Sequence, residues 1–193
     1  PIVVLIVFSF NESRSRGTWG GFSLKWYQAL FQDQTLMQAM YNTVLIAILS
    51  ATIATVIGTI AAIAIDGLDK WMQGIFMNVT YLPVLNPDIV TGVSLMLLFL
   101  MVKIHLGFHT LLLAHIIFNI PYVIIAVLPK LQNLNKYTME AALDLGATPL
   151  YTYWHVILPQ IKEGILTGFL FAFTLSLDDF VISFFTTGSG VNN

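Results

Sequence analysis

Residues 43–65 form a run of 23 residues without a single Asp, Glu, Lys or Arg. Wound as an α-helix, this run is about 34 Å long, which is enough to cross the roughly 30 Å hydrocarbon core of a bilayer. A second run without these four residue types covers 104–129. Neither run shows the alternation over about ten residues that marks a strand of a membrane barrel. We therefore predict an all-α integral membrane protein, built as a polytopic helical bundle.

The composition supports a membrane environment. Charged residues make up 9% of the chain and apolar residues 57%, whereas a soluble domain carries about 25% charged residues. The absence of cysteine excludes disulfides, thiolate catalysis and cysteine-ligated metals. A net charge of −2 argues against nucleic acid as a partner. Membrane lipid is the expected surrounding of the chain.

The apolar sequence divides into five segments. They lie at residues 1–10, 43–65, 75–102, 110–128 and 164–187. The first indicates the end of an incomplete spanning helix and the chain stops in a loop after the last, so we expect a fragment of one transmembrane domain over 1–193. The third contains two prolines, which remove backbone donors, and we predict a break at 84–87 with Asn86 capping the next helix. The pattern at 24–36 also fits a short amphipathic helix.

The fifth segment carries two adjacent aspartates, Asp178 and Asp179, and 164–193 holds no other charged residue. On a continuous helix neighbours point about 100° apart, and Asp179 then shares a polar stripe with Ser176 and Ser183. A polar stripe on a spanning helix faces a bundle interior or water. We predict that Asp179 lines a pathway, while Asp178, on the more apolar side, pairs with a neighbouring helix.

A charge within a bilayer costs at least about 2.5–3.5 kcal/mol on insertion scales, so the two acids require an explanation. One hypothesis is a negative lining for a cationic substrate. The alternative is that both acids cap a broken helix near its outer end. Asp88, which follows the proline break, is a further pathway candidate, and its alternative role is that of an acid favoured at a helix N-terminus.

The loop at 130–161 predicts a helix–turn–helix between two spans. Residues 139–145 are strong helix formers, and Gly146 supplies the left-handed position that ends such a helix. Thr148 followed by a proline indicates an N-cap and the first turn of a second short helix, which Pro159 is expected to end. Glu140 and Asp144 lie four apart on the first helix, where like charges cost about 0.2–0.5 kcal/mol. This helix is either a solvated loop helix or a docking helix for a partner with basic residues.

The stretch "EAALDLGATPLYTYWHVILP" resembles the EAA loop of ABC importer permeases, whose pattern is E-A-A, three residues, G, nine residues, I, any residue, L-P. The matching positions are Glu140, Ala141, Ala142, Gly146, Leu158 and Pro159. Val156 stands where isoleucine is usual. The resemblance implies that 130–161 is a cytoplasmic coupling loop, with Asp144 on its helix, that docks in a cleft of an ATPase subunit and transmits its motion.

Three further stretches, "NPDIVTGVSLMLLF", "LGFHTLLLAHIIFNIPYVI" and "FTLSLDDFVISFFTTG", together resemble the permease subunits of bacterial spermidine/putrescine importers. The likeness covers about 43–188. It implies a type I ABC importer permease fold of six spans, of which about five are present, the first incomplete and the last missing. It also implies a multi-pass subunit of the bacterial inner membrane that moves polyamines inward by alternating access.

The same resemblance implies a set of partners. They are a second, homologous permease, two ATPase subunits, an extracytoplasmic substrate-binding protein and the polyamine itself. The chain lacks the G-x-x-x-x-G-K-[ST] motif that cradles nucleotide phosphates, so ATP and Mg²⁺ are expected on the ATPase subunits. We expect no cofactor, no catalytic residue and no enzymatic activity in this chain.

Positive charges do not decide the orientation, because four lie on each side of the predicted spans. The two sets are Lys70, Lys130, Lys136 and Lys162 against Arg14, Arg16, Lys25 and Lys103. The family resemblance places 130–162 in the cytoplasm. Lys70 is then also inside, whereas 14–25 and His105 are outside.

Several alternatives remain open from the sequence. A permease of the same family for thiamine, ferric ion or an anion is one, although aspartates along a pathway argue against anions. An ion channel or secondary transporter is another, but it would have no use for the EAA loop. An intramembrane enzyme lacks a nucleophile motif. His105 and His109 are four apart but have no third ligand in the sequence, so no metal site is expected.

Overall fold

A computed structural model describes residues 2–13, 17–135 and 137–188, so Arg14, Arg16 and Lys136 of the charge comparison lie outside the described residues. Regular structure in those ranges is helical, apart from one isolated bridge between Asn11 and Phe22. The chain divides into two compact units, one up to Asn42 and one from Thr43 onward. The all-α prediction is confirmed.

The first unit contains α1 (Ile2–Ser9) and α2 (Lys25–Gln32). The loop between them is organised by the buried Asn11. Its side chain donates to the Thr18 carbonyl at 2.8 Å and accepts from the Gly20 N–H at 2.7 Å, while its carbonyl accepts from the Trp26 indole at 2.9 Å. These bonds fold the polar loop back on the end of α1.

The amphipathic helix predicted near 24–36 is present as α2, but it ends at Gln32, four residues earlier than expected. Asp33 has an extended conformation, and its carboxylate accepts from the N–H groups of Thr35 and Leu36 at 3.0 and 3.2 Å. An acceptor at this position satisfies donors that have no partner in the first turn of a helix. Asp33 therefore ends one helix and begins the next.

The helix that follows, α3 (Gln34–Asp66), has 33 residues and begins nine residues before the predicted 43–65 segment. Residues 34–42 mix polar and apolar side chains and contain neither Gly nor Pro, so the helix extends through them beyond the long apolar run. In the same way α6 (Phe108–Gln132) is longer than the predicted 110–128 and continues through Pro121. The apolar runs located both helices, and the helices themselves extend past the apolar sequence.

The predicted break in the third apolar region is confirmed between α4 (Lys70–Leu85) and α5 (Asp88–Met101), which meet at a bend of 102°. The sequence predicts that Asn86 caps α5, and this prediction is wrong. It ends α4 with its backbone N–H bonded to the Leu82 carbonyl, and Pro87 occupies the N-cap position without a side-chain bond. A proline forces the preceding residue out of the helical region, which assigns Asn86 to the helix before it.

The last apolar segment is broken as well. After α7 (Tyr137–Asp144) comes α8 (Pro149–Thr152), and a π-helical turn at Tyr153–Ile157 joins it to α9 (Leu158–Asp178). The predicted exit at Pro159 is therefore wrong, because the wider π turn and the first turn of α9 accommodate the residue that lacks an N–H. The continuous helix predicted to Thr187 is also wrong, since α10 (Val181–Thr186) is separate.

The centre of the second unit is formed by α3, α6 and α9, which are long and apolar enough to cross a membrane by themselves; the bent pair α4–α5 is a fourth candidate. Between the three helices lies Val123, which is fully buried. A Cβ atom added to Gly58 would come within 2.7 Å of the Val123 Cβ, and one added to Gly168 within 3.2 Å of its Cγ1. Small residues permit this approach, which supplies the packing that holds helices together in lipid.

A second cluster joins the short helices to α6. Its buried members are Leu95, Phe99, Ala114, Phe118 and Ile182. At Gly92 the backbones of α5 and α10 come close, since an added Cβ would lie 3.4 Å from the Ile182 Cα and 3.5 Å from the Val181 carbonyl oxygen. The two helices that follow a break are thus packed against each other.

We predict that Gly58→Ala lowers the free energy of unfolding by about 1–3 kcal/mol, the range for an overpacked core. The matched control is Gly74→Ala within α4, where nothing lies within 4 Å of the new methyl group and alanine favours the helix. Thermal unfolding of the purified protein in detergent measures both. Equal midpoints for the two variants would contradict the close packing around Val123.

Candidate functional site

Asp179 lies at the break between α9 and α10. Its carboxylate accepts hydrogen bonds from the N–H groups of Ile182 at 3.2 Å and Ser183 at 3.3 Å, and its side chain is 6% exposed. Acceptors in this position complete the first turn of a helix and are favoured by its dipole. The alternative of a capped, broken helix is therefore the arrangement that Asp179 adopts.

His115, on α6, connects the polar groups on the two sides of this break. Its Nδ1 lies 3.1 Å from the Ser176 hydroxyl on α9, and its Nε2 lies 3.0 Å from the Ser183 hydroxyl on α10. The same Nε2 is 3.7 Å from the Asp179 carboxylate. Asp179, Ser176 and Ser183 are thus close together, as predicted, but across a helix break and not along one stripe. Ser183 bonds directly to Asp179, and His115 of another helix connects Ser183 with Ser176.

Ser176 is the centre of this polar cluster. Besides His115 it contacts the Asn119 amide nitrogen on α6 at 2.8 Å and the Ser50 hydroxyl on α3 at 2.9 Å. A hydroxyl has one proton to donate and two lone pairs. It accepts from Asn119, and it donates to one of the two remaining neighbours while accepting from the other. The cluster therefore ties α3, α6 and α9 together at one level.

Asn119, a member of this cluster, has a hydrogen-bond acceptor that no described residue uses. Among the described residues, the Asn119 amide oxygen is buried without a hydrogen-bond partner. On the same helix, the Thr110 hydroxyl donates to the Thr186 carbonyl oxygen at 2.8 Å, which attaches the end of α10 to the start of α6. Polar groups of α6 therefore hold α10 near both of its ends.

Asp178 has a different environment from its neighbour. It is the last residue of α9 and is exposed. Within the described ranges no hydrogen bond or ion pair joins its side chain to another residue, so the predicted pairing with a neighbouring helix does not occur inside this chain. The two adjacent acids therefore separate into one capping carboxylate in the core and one on the surface.

Asp88 is the first residue of α5 and is exposed. It lies one turn before Gly92, and Asp179 lies two residues before Val181, so both precede the place where α5 and α10 pack. Two helix breaks thus bring two carboxylates into one region of the bundle.

The loop at 137–158 has the predicted helix–turn–helix geometry. Gly146 has φ 86°, the left-handed conformation expected of it, and Thr148 accepts from the Tyr151 N–H as an N-cap. Glu140, Ala141, Asp144 and Pro159 are exposed, whereas Ala142 and Leu158 are half-buried. Large apolar side chains are also exposed, with Leu145 at 89% and Leu150 at 69%. The turn borders an open groove of about 520 Å³.

The same end of the bundle carries the connection between α3 and α4. A cavity of about 540 Å³ is lined there by Asp66, Lys70, Leu131, Met139 and Tyr153, among others. The end of α3, the start of α4, the end of α6 and the 137–157 region therefore meet. The loop at 102–107 lies at the opposite end of α6, where the Leu106 carbonyl approaches Gly188.

Sequence reasoning missed the residues on α3 and α6 that complete the cluster, above all His115 and Asn119. A signal was present, since both are polar residues in an otherwise apolar run, and a spacing of four places them on one helix face. Ser50 gave less indication, because a serine in a membrane helix commonly bonds to its own backbone. Only the tertiary structure shows that all three converge on Ser176.

Broken helices, buried polar groups and close helix packing together describe a polytopic membrane permease. The chain belongs to the family described as binding-protein-dependent transport system inner membrane components, whose model matches residues 54–193. It is accordingly an ABC-type permease subunit, a multi-pass protein of the bacterial inner membrane. The family resemblance noted in the sequence is confirmed.

Individual relatives are similar over nearly the whole chain. The spermidine/putrescine transport system permease protein PotC of Haemophilus influenzae is 40% identical over 188 residues, which are 97% of this chain and 73% of the relative. PotC of Escherichia coli K12 is 39% identical over 97% of this chain and 71% of its own length. The putrescine transport system permease protein PotI of the same strain is 39% identical over 98% and 70%.

Proposed function

We propose that this chain is a permease subunit of an ATP-driven importer that carries polyamines, of the spermidine and putrescine type, into the cell by alternating access. The observation that carries the proposal is the pair of carboxylates, Asp88 and Asp179, at two packed helix breaks. The names of the similar proteins, which are polyamine transport permeases, support the same substrate class.

The physical argument concerns charge. A polyamine carries two or more hydrated ammonium groups, and its passage through an apolar bundle requires compensating negative charge. Hydroxyl groups such as those of Ser176 and Ser183 orient a cation but do not neutralise it, whereas a carboxylate does. Irregular backbone is tolerated at membrane depth where it is buried in protein or lines a water-filled cavity, so helix breaks are suitable places for such carboxylates.

In the proposed pathway Asp179 contributes charge from the break before α10, and Asp88 contributes it from the first turn of α5. Asp178 is exposed on this subunit, and its proposed place is the surface shared with the second permease. One or two carboxylates per subunit attract a cation without holding it permanently, which a transporter requires for release. A closed cage of acids would bind tightly and release slowly.

Energy for the cycle is proposed to come from two separate ATPase subunits, which bind ATP and Mg²⁺, with an extracytoplasmic binding protein delivering the substrate. The exposed helix–turn–helix at 137–158 is the proposed contact with an ATPase. Its exposed apolar side chains support this, because leaving them in water is unfavourable. The proposed coupling residues are Glu140, Ala141, Ala142, Asp144, Gly146, Leu158 and Pro159.

Other substrates of the family are less well supported. An anion would be repelled by the charges of Asp88 and Asp179. Thiamine and ferric ion are cations, but neither is named for the similar proteins described above. A channel or secondary transporter would leave the exposed coupling loop without a use. The polyamine importer accounts for both the carboxylates and the loop.

The pathway is tested by Asp179→Asn, which we expect to remove most spermidine uptake. Asparagine is as good an N-cap as aspartate, and its single amide oxygen keeps one of the two capping bonds, which reach both carboxylate oxygens in the native protein. The substitution therefore removes the charge and one capping bond. Uptake of labelled spermidine is measured in cells that contain equal amounts of each variant in the membrane. Asp178→Asn is the matched control, from which we expect a smaller effect on uptake.

The two roles of Asp179 predict opposite results in this experiment. A residue that only caps α10 would be replaced by asparagine with little loss of uptake, because asparagine keeps one capping bond. Wild-type uptake by both single variants and by the double variant would therefore refute the cation pathway and leave the aspartates as structural residues.

Coupling is tested at Gly146, whose φ of 86° costs a β-branched side chain about 1–2 kcal/mol or more. We expect Gly146→Val to redirect α8 and impair transport while the membrane fold is kept. Gly146→Asn is the control, because asparagine adopts this conformation readily. ATPase stimulation by loaded binding protein is measured on the assembled complex. A normal response from the valine variant would exclude a coupling role for this turn.

The orientation is tested by single cysteines in this cysteine-free chain. We expect Gly17→Cys to be labelled by a membrane-impermeant thiol reagent in intact spheroplasts, and Gln132→Cys only after the membrane is opened. Gln132 lies at the end of the bundle that also carries Lys70 and the coupling loop. Labelling of position 132 alone in intact spheroplasts would invert the proposed orientation.

A further inference from the structure

The imidazole of His115 spans the break between α9 and α10. One ring nitrogen contacts Ser176, three residues before Asp179, and the other contacts Ser183, four residues after it. The ring is almost completely buried, with 1% of the residue exposed. Two helix segments with no continuous backbone bonding between them are therefore joined by one rigid side chain, in addition to the capping bonds of Asp179.

The short helix depends on such contacts. With six residues α10 is about 9 Å long, and a helix of this length is not stable without tertiary packing. Its other attachments are the bond from Thr110 to the Thr186 carbonyl, the packing on α5 at Gly92, and the burial of Ile182 in a cluster that Leu175 of α9 borders. The Asp179 carboxylate also bonds to its first turn. None of these contacts connects a side chain of α6 to both α9 and α10, as His115 does.

We propose that His115 is a positioning residue, which fixes the angle at the helix break and thereby the place of the Asp179 carboxylate. This inference rests on the proposed role of Asp179 in cation passage. The carboxylate already accepts two backbone hydrogen bonds and faces Nε2 of His115 at 3.7 Å. An ionised carboxyl group accepts about four hydrogen bonds, so capacity remains for a substrate ammonium group once the carboxylate is held in place.

Two substitutions of His115 distinguish its contact with Ser183 on α10 from its contact with Ser176 on α9. In His115→Gln the side-chain amide reaches about as far as Nε2 and keeps a polar contact with Ser183. In His115→Asn the amide reaches about as far as Nδ1 and keeps only the contact with Ser176. A positioning role requires the link to α10, so glutamine should substitute for histidine and asparagine should not. The matched control is His109→Asn, an exposed histidine on the same helix.

The position of α10 is measured with Thr186→Cys, the single cysteine in the chain. Thr186 is fully buried, and among the described residues its hydroxyl bonds to the Ile182 carbonyl of its own helix and to no other group. Membrane vesicles containing the assembled transporter are treated with a small water-soluble thiol reagent. We expect His115→Asn to raise the labelling rate of this cysteine about tenfold, because a released helix opens more often. His115→Gln and His109→Asn should leave the rate unchanged.

Transport provides the second measurement. His115→Asn should raise the spermidine concentration for half-maximal uptake roughly fivefold to tenfold, as expected when a charge-assisted contact is misplaced, and His115→Gln should stay near the wild-type value. Equal effects of His115→Asn and His115→Gln on labelling and uptake would overturn the positioning role. If His115 only filled space in the core, the protein would tolerate both substitutions or neither of them.

The two measurements also separate this inference from the proposed function. If Asp179→Asn transports normally while His115→Asn still exposes Thr186→Cys, the bridge holds α10 but the cation pathway is wrong. If Asp179→Asn loses uptake and His115→Asn changes neither labelling nor half-saturation, the pathway stands and His115 does not position it.

Discussion

Every backbone amide and carbonyl inside a bilayer needs a partner within the protein, because hydrocarbon offers none. The structure meets this constraint with long helices, and it departs from them at two places, 86–87 and 179–180. The second break is completed by the Asp179 carboxylate, which supplies acceptors for the first N–H groups of α10. The group that makes the break possible is thus also the group with a charge to offer a substrate. Asp179 therefore has both a structural role, as the cap of α10, and a proposed functional role in cation passage.

The rest of the fold keeps that break in place. Lipid provides little drive for helices to associate, so they associate through close packing and polar contacts. Around Val123, glycines of two helices allow the packing, and around Ser176, side chains of three helices provide the polar contacts. The packing around Val123 sets the distance between α3, α6 and α9. The polar contacts around Ser176 set the positions of these helices along their axes relative to one another. Without both, His115 would have no fixed position from which to reach α10.

The sequence predicted what local chemistry determines. Apolar runs located α3 and α6, prolines located the bend before α5, and Gly146 with Thr148 defined the turn between α7 and α8. It could not place the end of α9, because "SLDDFVIS" is compatible with a helix and only the contacts of Asp179 with α10 and α6 favour a break. His115 was missed for the same reason, since its partners are 61 and 68 residues away. Contacts between residues that are far apart in the sequence could not be predicted from local sequence patterns.

One long helical stretch connects the two ends of the subunit. From Pro149 to Asp178 the helix is continuous over 30 residues, which is about 45 Å. Its first turns belong to the proposed contact with the ATPase, and its last residue adjoins the carboxylate at the break. Under the proposed function, a displacement of the loop at 137–158 reaches Asp179 through this one helix, with the π turn at Tyr153–Ile157 as the irregular part of the path. The break at 179 is the first point at which that motion can change direction, which is where alternating access requires a change.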